Sequence, residues 1–473
     1  MTDTPQHPQT TEPPQTATDD VSRAVAEGLP SAIADLGSLI RIPSVSSAAF
    51  DPAQVAASAE AVAALVRSTG LFDEVRISRA PIGDGTLGQP AVLASRAAKN
   101  GRPTIMLYAH HDVQPPGKDE DWATAPFEPV VDGDRLYGRG AADDKAGVMA
   151  HVAALRAVAA VFGDELDLGI VVFIEGEEES GSRSFANFLQ QHADVLAADV
   201  IVVADSDNWD VDTPALTVAL RGNVTFRLTV RTLAHASHSG MYGGAAPDAM
   251  LATIRLLATL HEADGSVAVD GLTSHDAPVP DYDEERLMQE AALLDGARLI
   301  GHGPLLSRLW SQPSITVTGI DAPSVANASN TLAPSVSVRL SARVAPGQRA
   351  SDAFVAIEKH LRDNAPFGAQ LEIDGVDQGD PFLVDTSGWA VEEVKRAMAD
   401  AWGANPVETG IGGSIPFIAD LVRVFPDAQI LVTGVEDPDT RAHSPNESLH
   451  LGVFKRAVLS EALLLARLND RTA

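Results

Sequence analysis

Thr104–Tyr108, Ile170–Ile174, Val200–Val203 and Ile430–Thr433 are short apolar runs, and each is followed within a few residues by a histidine or a cluster of acids. Runs of this length and composition read as buried strands. Between the first two lies Lys145–Phe162, which has helical periodicity, as do Val21–Ile40 and Ala53–Ser68. Strands alternating with helices predict an α/β class built on a largely parallel sheet. Such sheets place their sites where strands end and loops begin. The polar clusters at these ends are therefore the candidates for chemistry.

The middle of the chain has a different rhythm. Asn223–Arg231 alternates like a half-exposed strand, and Asp248–His261 reads as a helix. Strands Ser314–Gly319 and Ser335–Val344, a helix Ala350–Asn364 and a strand near Gln370–Val376 follow, while Asp264–Arg298 is acidic and irregular. The order β-α-β-β-α-β predicts a ferredoxin-like α+β unit over 218–382, inserted into a discontinuous domain made of 21–217 and 383–473. Residues 1–20, rich in Thr, Pro, Gln and Asp, predict a disordered tail with neither the basic nor the apolar part of a signal peptide.

Composition excludes several function classes. Sixty-five acidic residues against 34 basic ones give a formal charge of −31, which repels phosphate backbones and argues against a nucleic-acid partner. No apolar run approaches the roughly 20 residues of a membrane span, so a soluble protein with no membrane partner is expected. There is no cysteine. Disulfides and thiolate sites are thus excluded, any metal must be held by His, Asp or Glu, and a reducing cytoplasm is compatible.

Five clusters carry possible chemistry. In YAHHDVQP, His110 and Asp112 lie two apart on an extended segment and so share a face, where one can ligate and the other orient it. A polar loop end is the bland alternative. In LYGRGAADDKAG, Asp143 and Asp144 open a helix, where acids are also favoured simply by the helix dipole. FIEGEEESGS runs from a strand into Glu175, Glu177, Glu178 and Glu179, which repel one another without a cation, although a solvated acidic loop has the same appearance. VVADSDNW offers Asp205 and Asp207, and TRAHSPNE offers His443.

As a set, two histidines and three carboxylates suffice for a pair of divalent cations. If one carboxylate bridges, each cation has one His, one terminal carboxylate and a share of the bridge. Three negative ligands against four positive charges leave one, which a bridging hydroxide neutralises; metal binding lowers the pKa of water to about 7. A further carboxylate, off the metal, must collect the proton and deliver it to a leaving amine. This chemistry predicts a metal-dependent hydrolase of amide bonds.

In their order HxD, GRGxxDDK, EGxEESGS, a strand-end Asp, HSGxxGG, GGSIP and AHxxNE, these motifs closely resemble the di-zinc metallopeptidase family that contains carnosinases, bacterial dipeptidases, aminoacylases and glutamate carboxypeptidases. The resemblance runs from about residue 36 to the C-terminus. The carnosinase-type branch is the nearest, on YxHxDVQP, LYGRGAxDDK, HSGxYGG and GGSIP. The resemblance implies that His110 binds one cation and His443 the other, that Asp143 bridges through a loop with a cis bond to Asp144, and that Glu179 and Asp205 complete the ligands. Glu178 would be the general base, with Glu177 leaving a one-residue ambiguity, and Asp112 would orient His110. The inserted unit would be a lid and dimerisation domain. From it, His238 would reach a partner subunit's site to stabilise the oxyanion, while Asn330, Arg343, Gly413 and Ser414 would grip the substrate's carboxylate end. A loop histidine at 238 and a strand-edge charge at 343 are the bland alternatives.

The expected protein is a cytoplasmic homodimer cleaving dipeptides or short peptides with a free C-terminal carboxylate. The expected cofactors are two cations, zinc or else manganese or cobalt. An N-acyl amino acid deacylase on the same metal centre is the second reading, and a catalytically silent scaffold the third.

Overall fold

The computed structural model describes residues 15–276, 279–412 and 416–471. The chain divides into two compact units. One comprises the residues up to Val218, Val384–Thr409 and those from Asp420 onward; the other comprises Ala219–Leu383 and Gly410–Ala419. The short segment 410–419 thus belongs with the inserted unit, whereas the sequence reading left it in the discontinuous domain. The first helix, Gln15–Ile40, begins inside the segment read as a tail, so residues 15–20 are helical; residues 1–14 lie outside the described residues.

The centre of the first unit is a sheet in which Gly169–Glu175, Thr104–His110, Val200–Val203 and Gln429–Val432 are neighbours in that order, all parallel. Its margins are antiparallel. Ala91–Arg96 pairs with Gly169–Glu175, Val75–Ser78 pairs with Ala91–Arg96, and Ala215–Leu220 joins at Gln429–Val432. The four parallel strands are the four apolar runs of the sequence. Both faces are covered, so these strands are apolar along their length instead of alternating; every residue of Gly169–Glu175 is buried. The class expected from the sequence, an α/β fold on a largely parallel sheet, is the class observed.

Register brings the strand ends together. His110 stands opposite Glu175, Tyr108 opposite Val203, and Val203 opposite Val432. The loops leaving these residues start from one edge of the sheet, which gathers residues far apart in sequence. Helix Lys145–Phe162 is long and apolar enough to cross a membrane by composition alone, but most of it is buried in the core with Gln15–Ile40 and Leu451–Asp470.

The second unit is a four-stranded antiparallel sheet in the order Ser314–Asp321, Ser335–Val344, Gly222–Arg231, Gln370–Gly379. In chain order that is second, third, first, fourth, the ferredoxin-like arrangement. Strict alternation puts Val336, Val338, Leu340, Ala342 and Val344 on the buried face with Val224, Phe226, Leu228 and Val230. Helices Ala249–Ala258 and Ala350–Asp363 supply the rest of this core through Ala252, Leu256, Ala353, Ile357 and Leu361.

Candidate metal centre

Six side chains of the first unit converge from five loops. His110 is the last residue of strand Thr104–His110, and its backbone N–H donates to Asp144 Oδ2 at 3.0 Å. Its ring Nε2 lies 3.2 Å from Asp143 Oδ1, 3.8 Å from Asp205 Oδ1 and 4.0 Å from Glu178 Oε2. On the other side Asp143 Oδ2 is 3.0 Å from His443 Nε2, which is also 3.3 Å from Glu179 Oε2. Two triads result, His110–Asp143–Asp205 and Asp143–Glu179–His443, with Asp143 common to both. The Asp143–Asp144 peptide is cis.

Each residue is held by its own local device. Asp143 sits in a turn that needs Gly140 at φ +80°, just before helix Lys145–Phe162. Glu178 and Glu179 occupy a single 3₁₀ turn, Glu178–Ser180, after strand Gly169–Glu175. The carboxylate of Asp112 accepts the N–H of Glu178 at 3.2 Å and of Glu179 at 3.1 Å, and its Oδ1 lies 3.3 Å from His110 Nδ1. Asp112 thus orders both glutamates as well as the imidazole. Gln114 Nε2 donates to Glu179 Oε2 at 2.6 Å. His443 stands in a loop at φ +60° and is the exposed member of the set, with 59% of its side chain accessible against 1% for His110.

The neighbouring acids separate cleanly. Glu177, the source of the one-residue ambiguity, accepts from Gln89 N–H at 3.0 Å and Ser184 N–H at 2.7 Å, which turns it away from the triads and fixes the strand-end loop. Glu175 is buried and accepts from Tyr108 OH at 2.6 Å. Asp207 belongs to neither triad; it hydrogen-bonds to Glu436. In the second unit, His238 lies in the short strand Ser237–His238, paired with Thr331–Leu332, and its Nδ1 accepts the Gly240 N–H at 3.0 Å. Asn330 is beside it, its carbonyl accepting the Ser239 N–H at 2.9 Å. Arg343 is in strand Ser335–Val344, opposite Ser314 and Asn223. Gly413 and Ser414 lie outside the described residues.

Sequence reasoning passed over two residues that hold the centre together. Glu447 is fully buried: its Oε2 accepts from Arg139 Nη1 at 2.7 Å and Gly140 N at 3.0 Å, and its Oε1 from Ala142 N at 2.9 Å and Asp143 N at 3.1 Å. Arg139 is as buried as its partner. The signal was present, since Glu447 closes TRAHSPNE and Arg139 stands in GRG.

The electrostatics ask for cations. Burial pushes Glu178 well above the carboxylate range, and burial together with Asp143 takes Glu179 up to about 7. Hydrogen bonds to Asp143 and Glu179 raise His443 to about 10. Burial alone would depress His110, yet its contacts to Asp112, Asp143 and Asp205 raise it well above an ordinary imidazole. The donors fit metal ions on two further counts. Two atoms each ~2.1 Å from one tetrahedral ion lie ~3.4 Å apart, and the imidazole–carboxylate spacings within the triads run from 3.0 to 3.8 Å. Glu179 Oε1 is buried with no hydrogen-bond partner among the described residues, and a cation would satisfy it.

The model of peptidase family M20/M25/M40 matches residues 106–467. The cysteinylglycine-S-conjugate dipeptidase of Corynebacterium striatum is 36% identical over 368 residues, 77% of this chain and 80% of that protein. A Cys-Gly metallodipeptidase of Candida albicans is 28% identical over 454 residues, 91% and 93% of the two chains. Among solved structures, human carnosine dipeptidase 1 matches with a TM-score of 0.80 at 22% identity, over 97% of this chain and 100% of that one, a likeness of fold.

Proposed function

The chain belongs to peptidase family M20/M25/M40, and from that premise we propose that it hydrolyses the peptide bond of dipeptides or short peptides bearing a free C-terminal carboxylate. The observation that carries the proposal is the pair of ligand triads sharing Asp143, with Glu178 beside them and in neither. Two divalent cations, zinc by the chemistry of the donors, would be held by His110, Asp143 and Asp205 on one side and by Asp143, Glu179 and His443 on the other. When bound they supply Lewis acidity and bring the pKa of water toward neutrality.

The protein's own groups do the rest. Glu178, 4.0 Å from His110 Nε2 and with its carboxyl pushed up by burial, would collect the proton and pass it to the leaving amine. Asp112 keeps the His110 ring in one orientation, and Gln114 does the same for the Glu179 carboxylate. For the substrate's carboxylate end the proposal assigns Asn330, Arg343, Gly413 and Ser414, with His238 donating to the oxyanion from a partner subunit. The enzyme is taken to be a cytoplasmic homodimer, and a monomer in sedimentation would remove the role of His238. The family and the dipeptidase names of the two relatives support dipeptides over the deacylase reading.

The test is hydrolysis of a panel of dipeptides, their C-terminal amides and N-acetyl amino acids by metal-stripped protein reloaded with zinc, manganese or cobalt. Dipeptide cleavage that requires metal, and falls roughly 10²–10⁴-fold in Glu178→Gln, is the expected result. Amidation should raise KM in the parent protein and much less in Arg343→Ala. Selective release of acetate would replace the dipeptidase reading with the deacylase one.

A further inference from the structure

The two triads are mounted unequally. His110 and Asp205 are tied to the sheet, one as the last residue of a strand and the other two residues beyond Val203. His443 has no such support. It lies in the loop between strands Gln429–Val432 and Ser448–His450, with Arg441, His443 and Asn446 all in the left-handed region. Yet its Nε2 is held 3.0 Å from Asp143. Something must register this loop against the turn that carries Asp143.

Asn446 ties the loop to Ala123 and Asp121, and the groups that register it against the Asp143 turn are Arg139 and Glu447. All four donors to the Glu447 carboxylate come from residues 139–143: one guanidinium nitrogen and three backbone N–H groups, the last being that of Asp143 itself. The second guanidinium nitrogen of Arg139 reaches back across the loop to the carbonyl of Ser444, the residue after His443, at 3.3 Å. The loop around His443 is therefore gripped at two points, Ser444 and Glu447, by a single arginine. A buried ion pair stabilises little compared with apolar filling, so its value lies in what it fixes.

We propose that the buried Arg139–Glu447 pair is a clasp that positions His443 and thereby sets the affinity of the second cation position separately from the first. Arg139 and Glu447 are positioning residues; the Glu447 carboxylate meets the backbone N–H of Asp143, and neither side chain contacts the imidazole or carboxylate atoms that face one another in the triads. The inference rests on the two-cation reading above and adds which residues set the affinity of one position apart from the other.

The division of labour within the carboxylate makes a selective variant available. Oε1 serves Ala142 and Asp143, whereas Oε2 serves Arg139 and Gly140. In Glu447→Gln the amide oxygen can keep the Ala142 and Asp143 bonds, and the NH2 then faces the guanidinium, donor against donor. Asp143 stays in place and the Arg139 arm that holds Ser444 is released.

The experiment is titration of metal-stripped protein with cobalt(II), followed by visible absorption and by competition with a chelator, with circular dichroism and the thermal midpoint recorded alongside. The parent protein is expected to take up two ions in two resolvable steps. Glu447→Gln is expected to bind the first with parental affinity and spectrum and the second at least tenfold more weakly. Arg139→Lys, which loses the two-point grip without adding a cavity-sized change, is expected to do the same and carries the test if Glu447→Gln does not fold. Parental affinity for both ions in a folded variant overturns the clasp and leaves the metal centre standing. Equal weakening of both ions overturns it as well, since the effect is then not confined to His443. Uptake of fewer than two ions by the parent protein overturns the two-cation reading, and the clasp with it.

Discussion

Asp112 shows how few groups a centre of this kind needs to be ordered. One carboxylate accepts two successive backbone N–H groups, so Glu178 and Glu179 are placed as a unit, and it faces the His110 ring at 3.3 Å. The same crowding of acids makes proton uptake the alternative to metal uptake. His443 is raised to about 10 by its hydrogen bonds to Asp143 and Glu179, and Glu179 to about 7 by burial and the Asp143 charge, so both hold protons more tightly than an ordinary imidazole or carboxyl. A ligand must be deprotonated, so each cation that binds expels protons, and affinity rises with pH and falls toward acid. Chelator competition between pH 6 and 8 should show the apparent binding constant rising by about tenfold or more per unit, with proton release in calorimetry run in two buffers; a flat profile would contradict these shifts. His110, Asp112 and Asp205 were legible as candidates because each follows a strand signal, Asp143 because it opens a helix, and His443 only through the TRAHSPNE motif. The choice among Glu177, Glu178 and Glu179 was not, because it depends on which carboxyl meets Gln89 N–H, a partner 88 positions away.

At the scale of the element, the four parallel strands were readable because burial on both faces leaves nothing but apolar residues in them. The marginal strands Val75–Ser78 and Ala91–Arg96 were not, since antiparallel edges of mixed burial lack that signature. The start of the first helix was misplaced for a related reason: its buried stripe begins at Val21, and the turn and a half before it shows no apolar periodicity. Helix Lys145–Phe162 begins where chemistry and packing meet. A methyl group on Gly147 would collide with Asp144 Oδ1 and with the carbonyl of Ala204, which belong to two ligand-bearing segments. Gly147→Ala is therefore expected to displace the helix start, cost roughly 1–3 kcal/mol in chemical denaturation and lower metal-dependent activity more than tenfold. A variant with parental midpoint and kcat/KM would show that the helix can shift without disturbing Asp143.

For the whole molecule, a formal charge of −31 is a long-range fact that no single contact expresses. Substrates with acidic side chains approach against this field, so their kcat/KM is expected to rise several-fold between ~10 mM and ~150 mM salt, as the screening length falls from about 30 to 8 Å. Neutral dipeptides should change little; equal behaviour of the two would show that the field does not reach the site. The segment 410–419 falls with the inserted unit because its partners lie across the chain: Ile411 carbonyl accepts from Arg221 N–H, and Gly412 carbonyl from the Arg221 side chain. Equally distant in sequence are the Asp143 N–H and the Glu447 oxygen that fixes it, separated by 304 positions. On a ribosome adding ~5–20 residues per second, His110 and the shared Asp143 exist for on the order of 15–60 s before His443 is made. A nascent chain has no complete second triad during that interval. The two triads can therefore be complete together only after His443 has been added to the chain.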